Sequence, residues 1–237
     1  MQRIVSSILI ALGLVAAGWF VGRGFERGHH PRHVVVKGLA ERDVKADLAL
    51  WPLRFVEAGN ELAQVQAAIQ KDDATVTAFL ERHGLDGDSI SFRQLEVVDR
   101  AAQAWANASY PTRYIISRTV MVRTPAVDTV YKAAQATGEL VQGGVALDDQ
   151  NGGGAPTYLF NGLNDLKPGM ISAATRNARS AAAQFARDSG SELGGIVSAN
   201  QGVFEILARD KAPMLQEERQ IEKTVRVVAT LDYALQD

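Results

Sequence analysis

Few residues in this 237-residue sequence have the types and spacing that catalysis requires. His83 is the only histidine after residue 33, and no serine lies in a G-x-S-x-G motif, so a Ser-His-Asp site has little support. A hydrolase with two catalytic carboxylates needs only a pair of acids, and the chain has 27 Asp and Glu residues, but no pair stands out. We therefore expect no catalytic residue, and an uncharacterised hydrolase ranks last among the functions considered.

Three arginines with helical spacing form the clearest charged pattern in the chain. Arg176, Arg179 and Arg187 fall at steps that a helix places on one face. Because guanidinium groups bind carboxylates and phosphates well, this face could hold an anionic ligand, an acidic partner or lipid headgroups. The alternative is a solvated helix face paired with Asp188 or Glu192, which is the more common situation for surface arginines.

Trp105 is the other candidate contact residue. It lies in a segment between two predicted strands, where an isolated large aromatic side chain often contacts a partner. The same side chain could instead fold back over the edge of the sheet, and the sequence favours neither reading.

No group of residues has the spacing of a metal or cofactor site. His29, His30 and His33 are of a type that binds metals, but no carboxylate pattern accompanies them, which favours a solvated linker. Asp72 and Asp73 are adjacent on a predicted helix and point about 100° apart, so we interpret them as a solvated break in its apolar stripe. We therefore expect no metal and no cofactor.

The composition is that of a folded protein without cysteine chemistry. Hydrophobic residues make up 46% of the chain and charged residues 22%, which are ordinary values for a globular domain. The net charge of −2 argues against a dedicated nucleic-acid binder. Because cysteine is absent, disulfides, thiolate catalysis and cysteine-bound metals are excluded.

The first residues have the features of a membrane anchor or signal segment. Residues 4–21 carry no charge, and this length is near the lower limit of about 17–25 residues for a membrane-spanning helix. The small residues 15–17 could form a cleavage site, but Trp19 and Phe20 extend the apolar run beyond it. This extension favours an uncleaved signal anchor with the two aromatic side chains near an interface.

The distribution of arginine around this segment slightly favours a cytoplasmic body, since one arginine precedes the segment and three follow within residues 23–32. The arginine distribution therefore gives no support for an exported body, and any support must come from other features of the sequence. We divide the chain into an anchor or signal segment at residues 1–23, a juxtamembrane linker at 24–33 and one folded domain at 34–237.

Apolar periodicity predicts seven or eight strands and three helices after the N-terminal hydrophobic helix. Pairs of strands separated by a helix indicate the α+β class, with mainly antiparallel sheets packed against the helices. The repeated order favours two similar lobes, although no sequence repeat supports a duplication. The apolar phase changes at Trp51 and Pro52, which predicts a kink at an edge position. Asn60 is the predicted cap of a helix that runs to His83 and stops at Gly84.

Residues 164–206 contain the longest predicted helix and the strand that follows it. Pro168 is placed near the first helical position, and Ser189 and Gly190 end the helix. Its apolar stripe is mostly alanine, which allows close packing; the predicted members are Ile171, Ala174, Ala178, Ala181, Ala182 and Phe185. Gly194 and Gly195 are predicted to turn the chain into a strand over residues 196–206.

Several segments together carry a family resemblance. They are VVVKG at 34–38, VKAD at 44–47, AATRNARSAA at 173–182, SGSELGGI at 189–196 and ANQGVF at 199–204. Each segment alone is plain, but their order and spacing resemble the SIMPL-domain family of bacterial envelope proteins. The resemblance extends from about residue 34 to residue 206.

The resemblance implies an exported body that lies in the periplasm or is attached to a membrane facing it. Members are described as stress-related envelope proteins or surface antigens, and at least one forms a large ring-like oligomer. The family has no established catalytic residues, so none is transferred to this chain. The leader departs from the cleaved signal that is usual in many members, which leaves a free or a tethered body open.

We therefore expect a non-enzymatic protein of the bacterial inner membrane, anchored once through residues 4–21, with its body in the periplasm. The expected partner is a second copy of the chain in a homo-oligomer, and the expected role is envelope integrity or tolerance of oxidative stress. A cleaved, soluble periplasmic form is the alternative location. A binding module for an anionic ligand or acidic partner on the arginine face is the alternative function.

Overall fold

The computed structural model describes residues 32–102, 111–148, 154–213 and 215–236, together with residues 13, 15 and 17–19. The predicted anchor, residues 4–21, therefore lies mostly outside the described residues. None of the helices in the described part is long and apolar enough to cross a membrane. The strands are β1 His33–Lys45, β2 Leu48–Gly59, β3 Ile90–Asp99, β4 Tyr114–Thr124, β5 Thr157–Leu159, β6 Glu192–Gln201, β7 Glu205–Ala208 and β8 Glu222–Gln236. The helices after residue 32 are α1 Leu62–Arg82, α2 Val127–Gln135, α3 Gly138–Gln142 and α4 Leu163–Asp188.

These strands form two antiparallel sheets, which confirms the α+β class. One sheet has the order β1-β8-β6, with β7 also paired to β8, and the other has the order β3-β4-β2-β5. Most neighbouring strands in these sheets are not consecutive in the chain, since among the described strands only β3 with β4 and β7 with β8 follow each other directly.

The chain forms two compact units. The larger unit comprises Ala40–Ser172 and Val203–Val227, and the smaller unit comprises Met1–Leu39, Ala173–Gly202 and Val228–Asp237. The sequence predicts a single domain at 34–237 and does not indicate this division.

The core of the larger unit lies between the sheet β3-β4-β2-β5 and α1. Alternate residues of β2 are buried, as a half-buried strand requires; they are Ala49, Trp51, Leu53 and Phe55. The apolar face of α1 packs in the same core through Val65, Ile69, Val76, Phe79 and Leu80. This face has helical spacing, so the sequence predicted it.

The core of the smaller unit contains alanines of α4 packed with side chains of β1 and β8. Ala178 and Ala182 are fully buried there, with Val36, Leu231 and Tyr233. The strand and the helix approach very closely, since an added Cβ on Gly38 would lie 1.9 Å from the carbonyl oxygen of Ala174. The expectation that an alanine stripe permits close packing is therefore confirmed.

The predicted kink at Trp51 and Pro52 is wrong. The pairing of β2 with β4 runs through Pro52 and Met121 without a shift of register. Trp51 is fully buried as part of the core, and its Nε1 donates a hydrogen bond of 2.9 Å to the Gly154 carbonyl oxygen. The apolar phase changes instead at the turn before β2. β5 pairs only as far as Leu50, so a proline at position 52 interrupts no further pairing with it.

The predicted helix starts are also wrong. α1 begins at Leu62 without a side-chain cap, and the Asn60 side chain instead accepts a hydrogen bond of 3.0 Å from the Arg113 main-chain N–H. Gly84 ends this helix as predicted, with a φ of 78° that glycine adopts without strain. α4 begins at Leu163, so Pro168 lies inside the helix rather than near its first position.

The end of α4 and the following strand differ from the prediction in two ways. The buried stripe repeats every four residues, with Met170 and Ala186 as its outer members, whereas Phe185 is 59% exposed. The helix ends before Gly190 as predicted. Gly194 and Gly195, however, lie inside β6 at a register shift rather than in a turn, and the predicted strand 196–206 is divided between β6 and β7.

Candidate functional surfaces

The three arginines of the predicted contact face are exposed on α4. Arg187 donates a hydrogen bond of 2.5 Å to the Gln184 side chain, and Gln184 in turn donates one of 2.8 Å to Asp188. These bonds remain within one helix, at steps of three and four residues that helical geometry brings together. Binding of an anionic ligand or acidic partner by Arg176, Arg179 and Arg187 stays a prediction.

Trp105 lies outside the described residues, as do His29 and His30. His33 is the first residue of β1. Within the ranges that the structure describes, no three His, Cys, Asp or Glu side chains are placed to hold a metal ion.

The sheet of the larger unit ends in a long, exposed strand. β3 lies at one edge of the sheet order, and its large apolar side chains are about half exposed: Phe92 49%, Leu95 50% and Val97 50%. Phe92 pairs with Val120 and Val97 with Ile116, and both partners on β4 are buried. The apolar row on β3 therefore lies on the core-facing side of the sheet, but at the edge, where it is accessible to solvent. Such an edge is a template for pairing with another chain.

A cation and a carboxylate lie beside this row. The Arg118 guanidinium carbon lies 4.7 Å from the ring centroid of Phe92, and Arg118 Nε lies 3.2 Å from Asp73 Oδ1. Burial raises the pKa of Asp73, and the Arg118 charge acts in the opposite direction. The pair therefore links Arg118 of β4 to Asp73 of α1, with the guanidinium beside the half-exposed Phe92 ring.

Asp72 is buried, so its interpretation as a solvated break is wrong. Only 5% of the residue is exposed, and Glu57 of β2 faces it. Burial and the negative charge of Glu57 raise the pKa of Asp72 to about 6. Asp72 Oδ2 has no hydrogen-bond partner in the described structure. When Asp72 and Glu57 are both ionised, neither carboxylate can donate a hydrogen bond to the other.

A signal for this buried acid is present in the sequence. Asp72 follows Ile69 by three residues and precedes Val76 by four, and both neighbours are buried members of the apolar face of α1. The position therefore belongs to that face by spacing alone. Glu57 could not be linked to it from sequence, since that residue comes from another element.

A polar cluster on the same sheet centres on Arg54. Its Nε lies 2.9 Å from Asp148, and its Nη2 lies 3.0 Å from Ser117 Oγ and 3.3 Å from Glu96. These groups line a pocket of about 370 Å³. Because the carboxylates and the guanidinium satisfy one another, the cluster is a structural ion-pair network.

A search of the curated proteins finds no match to this chain. A family model does match, over residues 34–233, and it is described as SIMPL, a protein of unknown function (DUF541). The match covers most of the chain and agrees with the resemblance carried by the segments at 34–47 and 173–204. The chain therefore belongs to the SIMPL family.

Proposed function

We propose that this protein is a non-enzymatic, membrane-anchored periplasmic member of the SIMPL family that self-associates and supports envelope integrity or oxidative-stress tolerance. The observation that carries the proposal is the exposed apolar row on the edge strand β3. Family membership and the uncharged segment at residues 4–21 support the location.

The partner of β3 is a second copy of the same chain. Two copies related by a twofold axis would place β3 against β3 in antiparallel fashion, which pairs the open main-chain groups of both edges. Each half-exposed side chain of the row would contribute about 1 kcal/mol when it leaves water. Three such side chains on each copy give about 6 kcal/mol, and the main-chain hydrogen bonds between the two edges add to this gain.

We expect this association to depend on concentration, because two separate copies must meet. Anchoring in a membrane helps, because it confines the copies to one surface and raises their effective concentration.

The test replaces apolar side chains of the row with charges. Leu95→Lys and Val97→Lys each put a charge into the apolar row and, by symmetry, two like charges into one interface, so we expect both variants to be monomeric. The full chain in detergent is measured by light scattering at tens of micromolar, with the micelle mass subtracted. Val141→Lys is the matched control, since Val141 is 61% exposed on α3 and is not part of the β3 row.

The same variants test the cellular role. A strain without the protein should become sensitive to detergent or peroxide, and Val141→Lys should restore tolerance where Leu95→Lys does not. A monomeric wild-type protein at tens of micromolar contradicts self-association. Equal restoration by all variants contradicts the link between assembly and tolerance.

A reporter fused after Asp237 tests the proposed location. An enzyme that is active only in the periplasm should be active in this fusion, and a reporter that is active only in the cytoplasm should be silent. The reverse result would place the body in the cytoplasm, as the arginine distribution alone favours.

A further inference from the structure

The larger unit contains a second pocket, separate from the β3 edge. Its volume is about 550 Å³, which is within the usual range for small-molecule sites. The wall is formed by side chains of α2 and β5 and by the segments around residues 137, 155 and 219. The lining includes Tyr131, Ala134, Thr137, Pro156, Tyr158 and Arg219.

The Tyr158 hydroxyl is buried without a partner. Tyr158 is 2% exposed, belongs to the core of the larger unit and is one of the residues that line the pocket, and its Oη has no hydrogen bond in the described structure. A buried hydroxyl that lacks a partner is costly, so natural structures normally satisfy it. Burial raises the pKa of Tyr158 to about 12, so this group remains a neutral donor at physiological pH.

A fixed cation lies at the same pocket. Arg219 Nη1 donates hydrogen bonds to the main-chain oxygens of Ala155, at 2.5 Å, and Pro156, at 3.0 Å. These bonds hold the guanidinium against the wall, and its charge acts on the pKa of Tyr158 in the lowering direction. The nearby acid, Asp128, is paired with Lys45 at 2.5 Å.

The remaining wall is suited to an apolar body. The Tyr131 ring is half exposed, and Ala134 and Pro156 add apolar surface. Thr137 adds one hydroxyl, which donates to the Ala134 carbonyl oxygen at 3.1 Å. One donor beside one cation fits a singly charged group, whereas a phosphate would be expected to meet several converging donors.

We propose that this pocket binds a small organic carboxylate. The carboxylate accepts a hydrogen bond from Tyr158 Oη and lies beside the Arg219 charge, and its apolar body packs on the Tyr131 ring. The site does not depend on the β3 edge, so either proposal can fail without the other.

The experiment uses the full chain in detergent, labelled with 3-fluorotyrosine and titrated with benzoate and phenylacetate. The chain has five tyrosines, so five fluorine resonances are expected, and single Tyr→Phe variants assign them. The Tyr131 and Tyr158 resonances should shift in a saturable manner. Tyr233 lies in the core of the smaller unit and its resonance should stay in place. Benzamide and benzyl alcohol are neutral analogues and should bind at least roughly tenfold more weakly, since hydrogen bonds to charged groups are the stronger ones.

Tyr158→Phe tests the hydroxyl alone, with the Tyr131 resonance as readout. It should raise the dissociation constant for benzoate roughly tenfold or more, because the charged group loses its donor. The melting temperature of the free protein should be unchanged or higher, since an unsatisfied hydroxyl is removed. Tyr233→Phe is the control and should leave the dissociation constant unchanged.

Three results would overturn the proposal. They are no saturable shift up to about 10 mM benzoate or phenylacetate, equal binding of the neutral analogues, and unaltered binding by Tyr158→Phe. A lower melting temperature of free Tyr158→Phe would also oppose it, because it would show that the hydroxyl has a structural partner.

Discussion

Gly38→Ala is expected to destabilise the smaller unit by at least about 3 kcal/mol, beyond the usual range for overpacking. The added Cβ would lie 1.9 Å from the Ala174 carbonyl oxygen, 2.5 Å from the Ala178 nitrogen and 2.8 Å from the Ala178 Cβ. Two of these three atoms belong to the helix main chain. No rotamer change can relieve the overlap, so β1 and α4 must move apart and the packing between them is lost.

Hydrogen exchange measures this loss where it occurs. Amides of the Gly38 strand and of α4 should lose protection in Gly38→Ala, and urea unfolding should give the free energy. Gly195→Ala is the matched control, because Gly195 lies in the same unit and an added Cβ there meets nothing within 4 Å. We expect the control to change stability by no more than about 0.5 kcal/mol. Equal stability of the two variants would contradict the close approach of strand and helix.

Asp72→Asn is expected to stabilise the protein at pH 8 by about 2 kcal/mol, because it removes a buried charge that repels Glu57. The asparagine amide can also donate a hydrogen bond to the Glu57 carboxylate, which the ionised aspartate cannot do. Few polar substitutions in a core stabilise a protein, so the sign of the effect is itself diagnostic.

The pH dependence follows from the direction of the pKa shift. The Asp72 pKa is raised from 3.8 to about 6, so the folded protein binds this proton more tightly than the unfolded chain. The contribution of the group to stability is complete below pH 3.8, decreases as the pH rises toward 6 and is absent above it. Two pKa units correspond to roughly 3 kcal/mol, an upper value because Glu57 shares the proton.

Urea unfolding at pH 8 and at pH 4 separates this effect from a general change in stability. Asp72→Asn should be more stable than the wild type at pH 8 and lose that advantage at pH 4. Asp88→Asn makes the same chemical change at an exposed position and should have little effect at either pH. In a Glu57→Gln background the gain from Asp72→Asn should shrink, since the repulsion is already gone. An equal gain at both pH values would contradict the proposed cause.

Periodic apolar patterns made most of the architecture predictable. The spacing of Ala174, Ala178 and Ala182 predicts that they are core residues, and they are fully buried. The apolar character of Phe185 predicts that it belongs with them, yet the buried stripe continues at Ala186. The narrow space next to β1 admits an alanine at each four-residue step. The size of the side chain, and not its hydrophobicity alone, therefore determines which residues of α4 are buried.

Phase errors came from the position of a turn. The slip assigned to Trp51 and Pro52 occurs four residues earlier, between β1 and β2, because the alternation within β2 already starts at Ala49. A sequence shows that the alternation of apolar and polar residues changes phase, but it does not show at which residues the chain turns or bulges to produce the change. For the same reason, the sequence predicts a turn at Gly194 and Gly195, where β6 has a register shift.

Chemically distinctive groups were the hardest to predict. Tyr158 lies in a strand of three residues, and nothing in that segment shows that its hydroxyl lacks a partner. The pair of Glu57 and Asp72 joins β2 to α1, so it exists only after the sheet and helix have packed. The edge position of β3 likewise depends on the strand order, which periodicity does not specify.

The contact between Gly38 and α4 also limits which second changes could rescue a variant. Ala178→Gly would remove one of the three close atoms, but the Ala174 oxygen and the Ala178 nitrogen are present whatever side chains the helix carries. A suppressor of Gly38→Ala must therefore displace a main chain, and no exchange of side chains at these two positions can do so. The segments at 34–38 and 173–182 are separated by more than a hundred residues, yet a substitution in one of them limits which residues the other can accept.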